Sequence, residues 1–388
     1  LLKRSSDKLV GTTTALLLSA IFVFILAYNC HRYLLMYNSS HTSPTYNDTP
    51  LSWQLAKYFV LIFLLFFLFG IQRFGPAKIK FLTLLFCIAV FILFVNILNF
   101  LLYESILTDE LEYTLFFFLL VPLFFVRWNL IDYIVQKHDS IFHSAAIFFI
   151  ITDFYVVANY LVNRRLPALG YEGGLVRFGG LWDDPNGFGF MCTFLFFWSY
   201  SKKKILLAVL LLLCVGLTSS ISAVLIFIIS LIYWSRINYA RLNKRIFILI
   251  CSVIMGGLVA ASLFWTKIVE LVQHKMESIT EHTTFNLKFS LLPLVRGPLQ
   301  FHETWMAAFF VNYFPVSLVV IVLFLYFLTS AFLSKKKDFL QYYLFIFILG
   351  NLFIPFFYDF PLNLIFFLFL IIHYRQRNEK SSYRLQND

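Results

Sequence analysis

The chain has 388 residues, 60% of them hydrophobic and only 13% charged, with a net charge of +11 and a mean hydropathy of +0.80. Phe alone contributes 50 residues, and no water-soluble domain has enough polar surface to cover so much apolar side chain. A soluble globular protein is excluded. A polytopic membrane protein built of helices is expected instead, because lipid offers backbone N–H and C=O groups no outside partner.

A helix of about 20 apolar residues crosses the hydrocarbon core. Taken in chain order, the apolar stretches predict about twelve spans, near 11–30, 55–71, 81–103, 112–126, 144–162, 187–200, 205–218, 220–235, 246–265, 307–333, 339–356 and 360–373. The fold class is therefore all-α, with N-terminal transmembrane helices over 1–143 and a core over 144–388 that carries two large outer loops. Runs such as LFFFLLVPLFFV lack the alternation a β-barrel needs. The first span is long and no small-residue cleavage site follows it, so a retained helix is expected there, not a signal peptide.

Basic residues set the orientation. With both termini cytoplasmic, 22 of the 31 Lys and Arg lie on the inner side, as the positive-inside bias requires. The acidic stretch ESILTDELEY then falls outside. The positive charge is thus a mark of topology, and no nucleic-acid partner is implied. Cys30, Cys87, Cys192, Cys214 and Cys251 sit in or at the ends of spans without paired spacing, and read as small core residues. There is no CxxC, HExxH or GxxxxGK[ST], so no metal, no cofactor and no ATP-driven transport is expected.

Seven cations oppose the bias, and they are clustered. Arg164, Arg165 and Arg177 share the loop 163–186, while Lys267, Lys275, Lys288 and Arg296 share the loop 266–303. The guanidinium fork matches phosphate, so two basic outer loops suggest an anionic ligand such as a lipid pyrophosphate. They can equally hold anionic headgroups, or loop acids such as Glu172 and Glu270.

The first loop ends in RFGGLWDDPNGFGF, residues 177–190. Gly179, Gly180, Gly187 and Gly189 permit tight turns and close backbone approach. The run Asp183-Asp184-Pro185-Asn186 opens a helix, with Asp184 as cap and Pro185 at the first helical position. Free amides at that helix end, beside Arg177, would make an anion site. The second loop ends in PLVRGPLQFHETW, residues 293–305, which puts His302 and Glu303 at the water–lipid interface. A partly desolvated carboxylate there can act as a general base. Alternatively the pair caps and anchors the helix, with Trp305 as an interfacial aromatic. Asp153 lies mid-span in FFIITDFYVV, either as a functional acid or as a partner of Asn96 or Asn99.

These elements, in this order, resemble the O-antigen ligase/Wzy-type polysaccharide polymerase family of membrane glycosyltransferases, of GT-C type. The resemblance covers about residues 150–373. Its motif of an arginine, a glycine and then D-P-N opening a span is matched by Arg177, Gly180, Asp184, Pro185 and Asn186. The T-x-S-R-x-A-like turn is matched in LTSSISAV by Thr218, Ser220 and Ala223, with Ile221 where Arg is usual. The H-[NE]-x-[YW] element is matched by His302, Glu303 and Trp305.

The resemblance implies metal-independent and cofactor-free sugar transfer at the outer face of the bacterial cytoplasmic (inner) membrane. The donor would be an oligosaccharide on polyprenyl pyrophosphate, with membrane lipid as surroundings and a chain-length regulator protein as a candidate partner. Glu303, His302 and Asp183 are the candidate catalytic residues. Arg164, Arg165, Arg177, Asp184, Asn186, Lys288 and Arg296 are the candidate substrate-binding residues. Chain length and motif degeneracy favour a polymerase of O-antigen (the lipopolysaccharide glycan) or capsule over a ligase to lipid A core. A lipid-linked glycan flippase or other transporter is the non-enzyme alternative.

Overall fold

A computed structural model describes residues 129–163, 171–172, 175–182, 184–238 and 339–350, with residues 93–102 and isolated positions at 30, 55, 56, 59, 87, 90, 91, 317, 318, 321, 322, 325, 326 and 329. The described part is helical, apart from one short ladder. Helix α1 (Asn129–Asn163) is followed by a two-residue antiparallel pair, β1 (Tyr171–Glu172) with β2 (Leu175–Val176), and by a 3-10 turn at Gly180–Trp182. Then come α2 (Pro185–Ser201), α3 (Ile205–Leu217), α4 (Ile221–Asn238) and α5 (Phe339–Gly350). These helices overlap the apolar stretches at 144–162, 187–200, 205–218, 220–235 and 339–356; α1 begins well before its stretch, and α5 is described only as far as Gly350. The remaining spans, the loop 266–303 and both termini lie outside the described residues, save for a short apolar helix at Leu93–Leu102 and isolated helical positions.

Within α1, Phe142–Asn163 is 22 residues long and apolar enough to cross a membrane. At 1.5 Å per residue it rises about 33 Å, against a hydrocarbon core of about 30 Å. Helix α1 begins at Asn129 and runs unbroken into this segment.

Helix α2 is the centre of the fold. Nothing charged occurs between Pro185 and Ser201, and nearly every side chain is buried, the pattern of a helix that is apolar all round. It packs against α1, α3, α4 and α5. Phe142 of α1 meets Phe194 and Trp198 with ring centroids 5.2 and 5.8 Å apart, while Phe149 meets Phe188 at 5.1 Å and Trp182 at 4.8 Å. Contacts that climb α1 therefore descend α2, so the two are antiparallel. At one end Asp139 accepts from Trp198 Nε1 at 3.2 Å and pairs with Lys202 at 2.7 Å. At the other, Val156 and Tyr160 pack on Phe178. Helix α5 closes the opposite side, with Tyr342 against Phe197 and Phe345 stacked 3.9 Å from Tyr233.

Helices α2 and α3 have 17 and 13 residues, rises of about 26 and 20 Å. Helix α3 is thus shorter than a hydrocarbon core. The start of α2 and the turn after α3 meet alongside the last turns of α1, where Phe178 packs on Val156 and Tyr160. Irregular backbone at that level must be covered by protein, and it is: Phe178, Gly179, Gly180 and Trp182 are all buried. This places a polar turn inside the helical bundle.

Close approach of α2 and α4 depends on Gly189. A Cβ there would stand 2.5 Å from Ala223 Cβ and 3.3 Å from Thr218 Cγ2. Neither atom is the end of a flexible chain, so Gly189→Ala should force the helices apart and cost about 1–3 kcal/mol. Thermal melts in detergent should show this loss. Adding Ala223→Gly vacates the colliding methyl and should recover most of it; a double variant no better than the single one would refute the contact.

Candidate functional site

The start of α2 is built as the Asp-Pro pair dictates. Pro185 needs no N–H partner at the first helical position. Asp184 is in extended conformation, and its carboxylate accepts from Asn186 N at 3.0 Å through Oδ1 and from Gly187 N at 2.9 Å through Oδ2. The backbone N–H of Phe188 donates to the Asp184 carbonyl at 2.9 Å. Every amide of the first turn is therefore engaged. The free amide donors expected here for an anion are absent, because the capping carboxylate occupies them.

Side chains take over where the amides leave off. Arg177 Nη2 donates to Asn186 Oδ1 at 3.0 Å, and Arg177 Nε reaches the Thr218 carbonyl at 3.4 Å, at the long end of hydrogen bonding. Ser220 Oγ donates to the same Asn186 Oδ1 at 2.5 Å. Arg177 and Ser220, from two different turns, thus converge on one carboxamide oxygen. Phe178 N donates to the Leu217 carbonyl at 3.1 Å, which holds the two turns edge to edge.

The α3–α4 turn is tight. Ser219 adopts φ of +48°, a left-handed conformation that costs a non-glycine residue roughly 1–2 kcal/mol. Thr218 Oγ1 donates to the Val215 carbonyl at 2.7 Å and accepts from Ser220 N at 3.3 Å. Ser220 Oγ accepts from Ala223 N at 3.2 Å and so caps α4. Gly180, at φ +55°, turns the chain where an added Cβ would strike the Phe188 ring. The position where the resembled family carries Arg is Ile221, at the start of α4. Arg177 brings a guanidinium to this turn from the facing loop.

Asp153 lies one layer inward and is fully buried, with no hydrogen-bond partner on either oxygen among the described residues. Its polar neighbours are the Cys214 thiol and the Gly180 backbone, neither in bonding geometry, with Cys192 close by. The pairing with Asn96 or Asn99 is not made.

Of the site residues expected from sequence, Arg177, Asp184 and Asn186 are brought together, and Thr218 and Ser220 join them. Asp183, Arg164, Arg165, Lys288, Arg296, His302 and Glu303 lie outside the described residues. Chemically, the described cluster is a half-buried guanidinium and an oriented carboxamide at the rim of a protein-covered turn. It can hold an anion by charge and by hydrogen bonds from side chains. Comparison with protein-family models, with curated proteins and with solved structures finds no match.

Proposed function

We propose that the protein is a polytopic glycosyltransferase of the bacterial cytoplasmic membrane. In this reading it polymerises a surface polysaccharide, O-antigen or capsule, from repeat units carried on polyprenyl pyrophosphate. The observation that carries this reading is the convergence of Arg177, Asn186, Thr218 and Ser220. The two family-like sequence elements to which they belong are far apart in the chain yet share one hydrogen-bonded cluster. The antiparallel α2–α3 pair brings the DPN turn and the TSS turn together, and the hydrogen bonds between them join the residues that the resemblance singles out.

In the reaction, the anomeric carbon of the donor sugar loses its bond to the pyrophosphate oxygen, which leaves with the electron pair. The acceptor hydroxyl oxygen bonds to that carbon, and its proton passes to a base, for which Glu303 is proposed. Arg177, with Arg164, Arg165, Lys288 and Arg296 as further candidates, offsets the charge that develops on the leaving pyrophosphate. Asp184 serves by holding the turn, since both its oxygens bind backbone N–H groups.

A transporter of lipid-linked glycan is the second reading, and the orphaned carboxyl of Asp153 favours it. Purified protein in liposomes containing lipid-linked repeat units separates the two. Joined repeat units carry the polymerase; units moved across the bilayer but left unjoined replace it with the transporter. In intact cells an impermeant maleimide should label single cysteines placed at Gly173 and Thr283, and protection of both would reverse the proposed topology.

A further inference from the structure

The carboxamide of Asn186 has only one orientation compatible with its neighbours. A guanidinium donates and never accepts, so the atom facing Arg177 Nη2 must be Oδ1. Ser220 Oγ, 2.5 Å from that same oxygen, must then be a donor as well. With Oδ1 doubly engaged, Nδ2 is turned away from both. Among the described residues, none accepts a hydrogen bond from it, and Asn186 is only partly buried. A primary amide held by two donors on its oxygen is a fixed donor at its nitrogen. Polarisation by Arg177 strengthens that N–H.

We infer that Asn186 Nδ2 is a direct hydrogen-bond donor to the phosphate oxygens of the donor lipid, and that Ser220 is the positioning residue that fixes it. This rests on the sugar-transfer reading above and names the atom that meets the ligand. The backbone amides of the helix end are engaged by Asp184 and play no part. Ser220 lies in a turn that contributes no charge, and its hydroxyl is the only side-chain link from that turn to the Asn186 oxygen among the described residues. The preferred anion has several acceptor oxygens and no donor, which suits a pyrophosphate and disfavours a neutral sugar at this atom.

Asn186→Asp separates binding from folding. A carboxylate still accepts from Arg177 and Ser220, so the cluster stays assembled, but it presents an acceptor and a negative charge where the N–H was. Inorganic pyrophosphate is the probe, followed by phosphorus NMR on purified full-length protein, alongside thermal melts. Parent protein should bind it. Asn186→Asp should weaken binding by about 10- to 100-fold, the range for a hydrogen bond to a charged group, with melting near the parent's. Ser220→Ala should weaken it about 3- to 10-fold, and Ser220→Thr, which keeps the hydroxyl, should restore it. Should Asn186→Asp not fold, Asn186→Ala must show the same loss.

Undiminished binding in either Asn186 variant, or no binding by the parent, overturns the donor assignment. Ser220→Ala binding as the parent does overturns the positioning role. A parent that gives this binding pattern but joins no repeat units leaves the assignment standing and refutes sugar transfer alone.

Discussion

Arg177→Ala should abolish polymer. Three things are lost at once: the positive charge proposed to offset the leaving pyrophosphate, the bond that orients Asn186, and the link to the Thr218 carbonyl. Loss of one electrostatic donor at a developing oxyanion costs about 10²–10³ in rate, and the misplaced amide adds to it. Arg177→Lys should restore little. One ammonium on a flexible stem cannot reproduce a planar fork that reaches two acceptors in different segments. The measurement is polymer formation from lipid-linked repeat units at equal protein level, with a thermal melt to exclude unfolding. Normal chain length with alanine at position 177 would sink both the catalytic role and the family reading.

Hydropathy made the helices legible but not their limits. Helices α2, α3 and α4 are nearly uniform apolar runs, and their ends are marked by Pro185, by Lys202–Lys204 and by Thr218–Ser220. Helix α1 extends upstream to Asn129 through a stretch containing Asp132, Lys137, His138 and Asp139. Those residues lower hydropathy without opposing helix formation, so an apolar window stops before the helix does. The β1–β2 ladder is two residues per strand, too short for alternation to register.

The site was half legible. Asp-Pro announced the cap at Asp184, and the same cap removed the free amides on which the anion reading relied. A helix start cannot be both capped by its own carboxylate and open to a ligand through the same N–H groups. What replaced those donors, the Ser220–Asn186–Arg177 bridge, joins residues 34 and 9 positions apart. No local spacing rule encodes a contact that arises only when α2 and α3 lie antiparallel.

The base for the acceptor hydroxyl is the second large effect, and Glu303 is where it should appear. A sugar hydroxyl is too weak an acid to attack unaided, so a positioned base contributes roughly 10²–10⁴-fold. Two carboxylates compete for the role. Asp184 is removed from consideration, because both its oxygens hold the first turn of α2. Asp183 directly precedes it in sequence, next to the turn whose Arg177 and Asn186 are proposed to hold the leaving group. With the acceptor hydroxyl attacking the anomeric carbon from the face opposite the leaving group, the base that takes its proton stands on that face too, which disfavours a residue tethered to the leaving-group turn. Glu303, with His302 beside it in sequence, ends the other basic stretch, which the proposed topology sets at the membrane surface where a lipid-linked hydroxyl would arrive. Glu303→Gln should therefore keep pyrophosphate binding while transfer falls by about 10²–10⁴-fold. His302→Ala should give an intermediate loss by freeing the orientation of Glu303, and Asp183→Asn should retain much of both functions. If Glu303→Gln polymerises near the parent rate while Asp183→Asn is inactive, leaving group and base share one turn. The attack must then come from the Asp183 side, and His302–Glu303 serves only to anchor its helix.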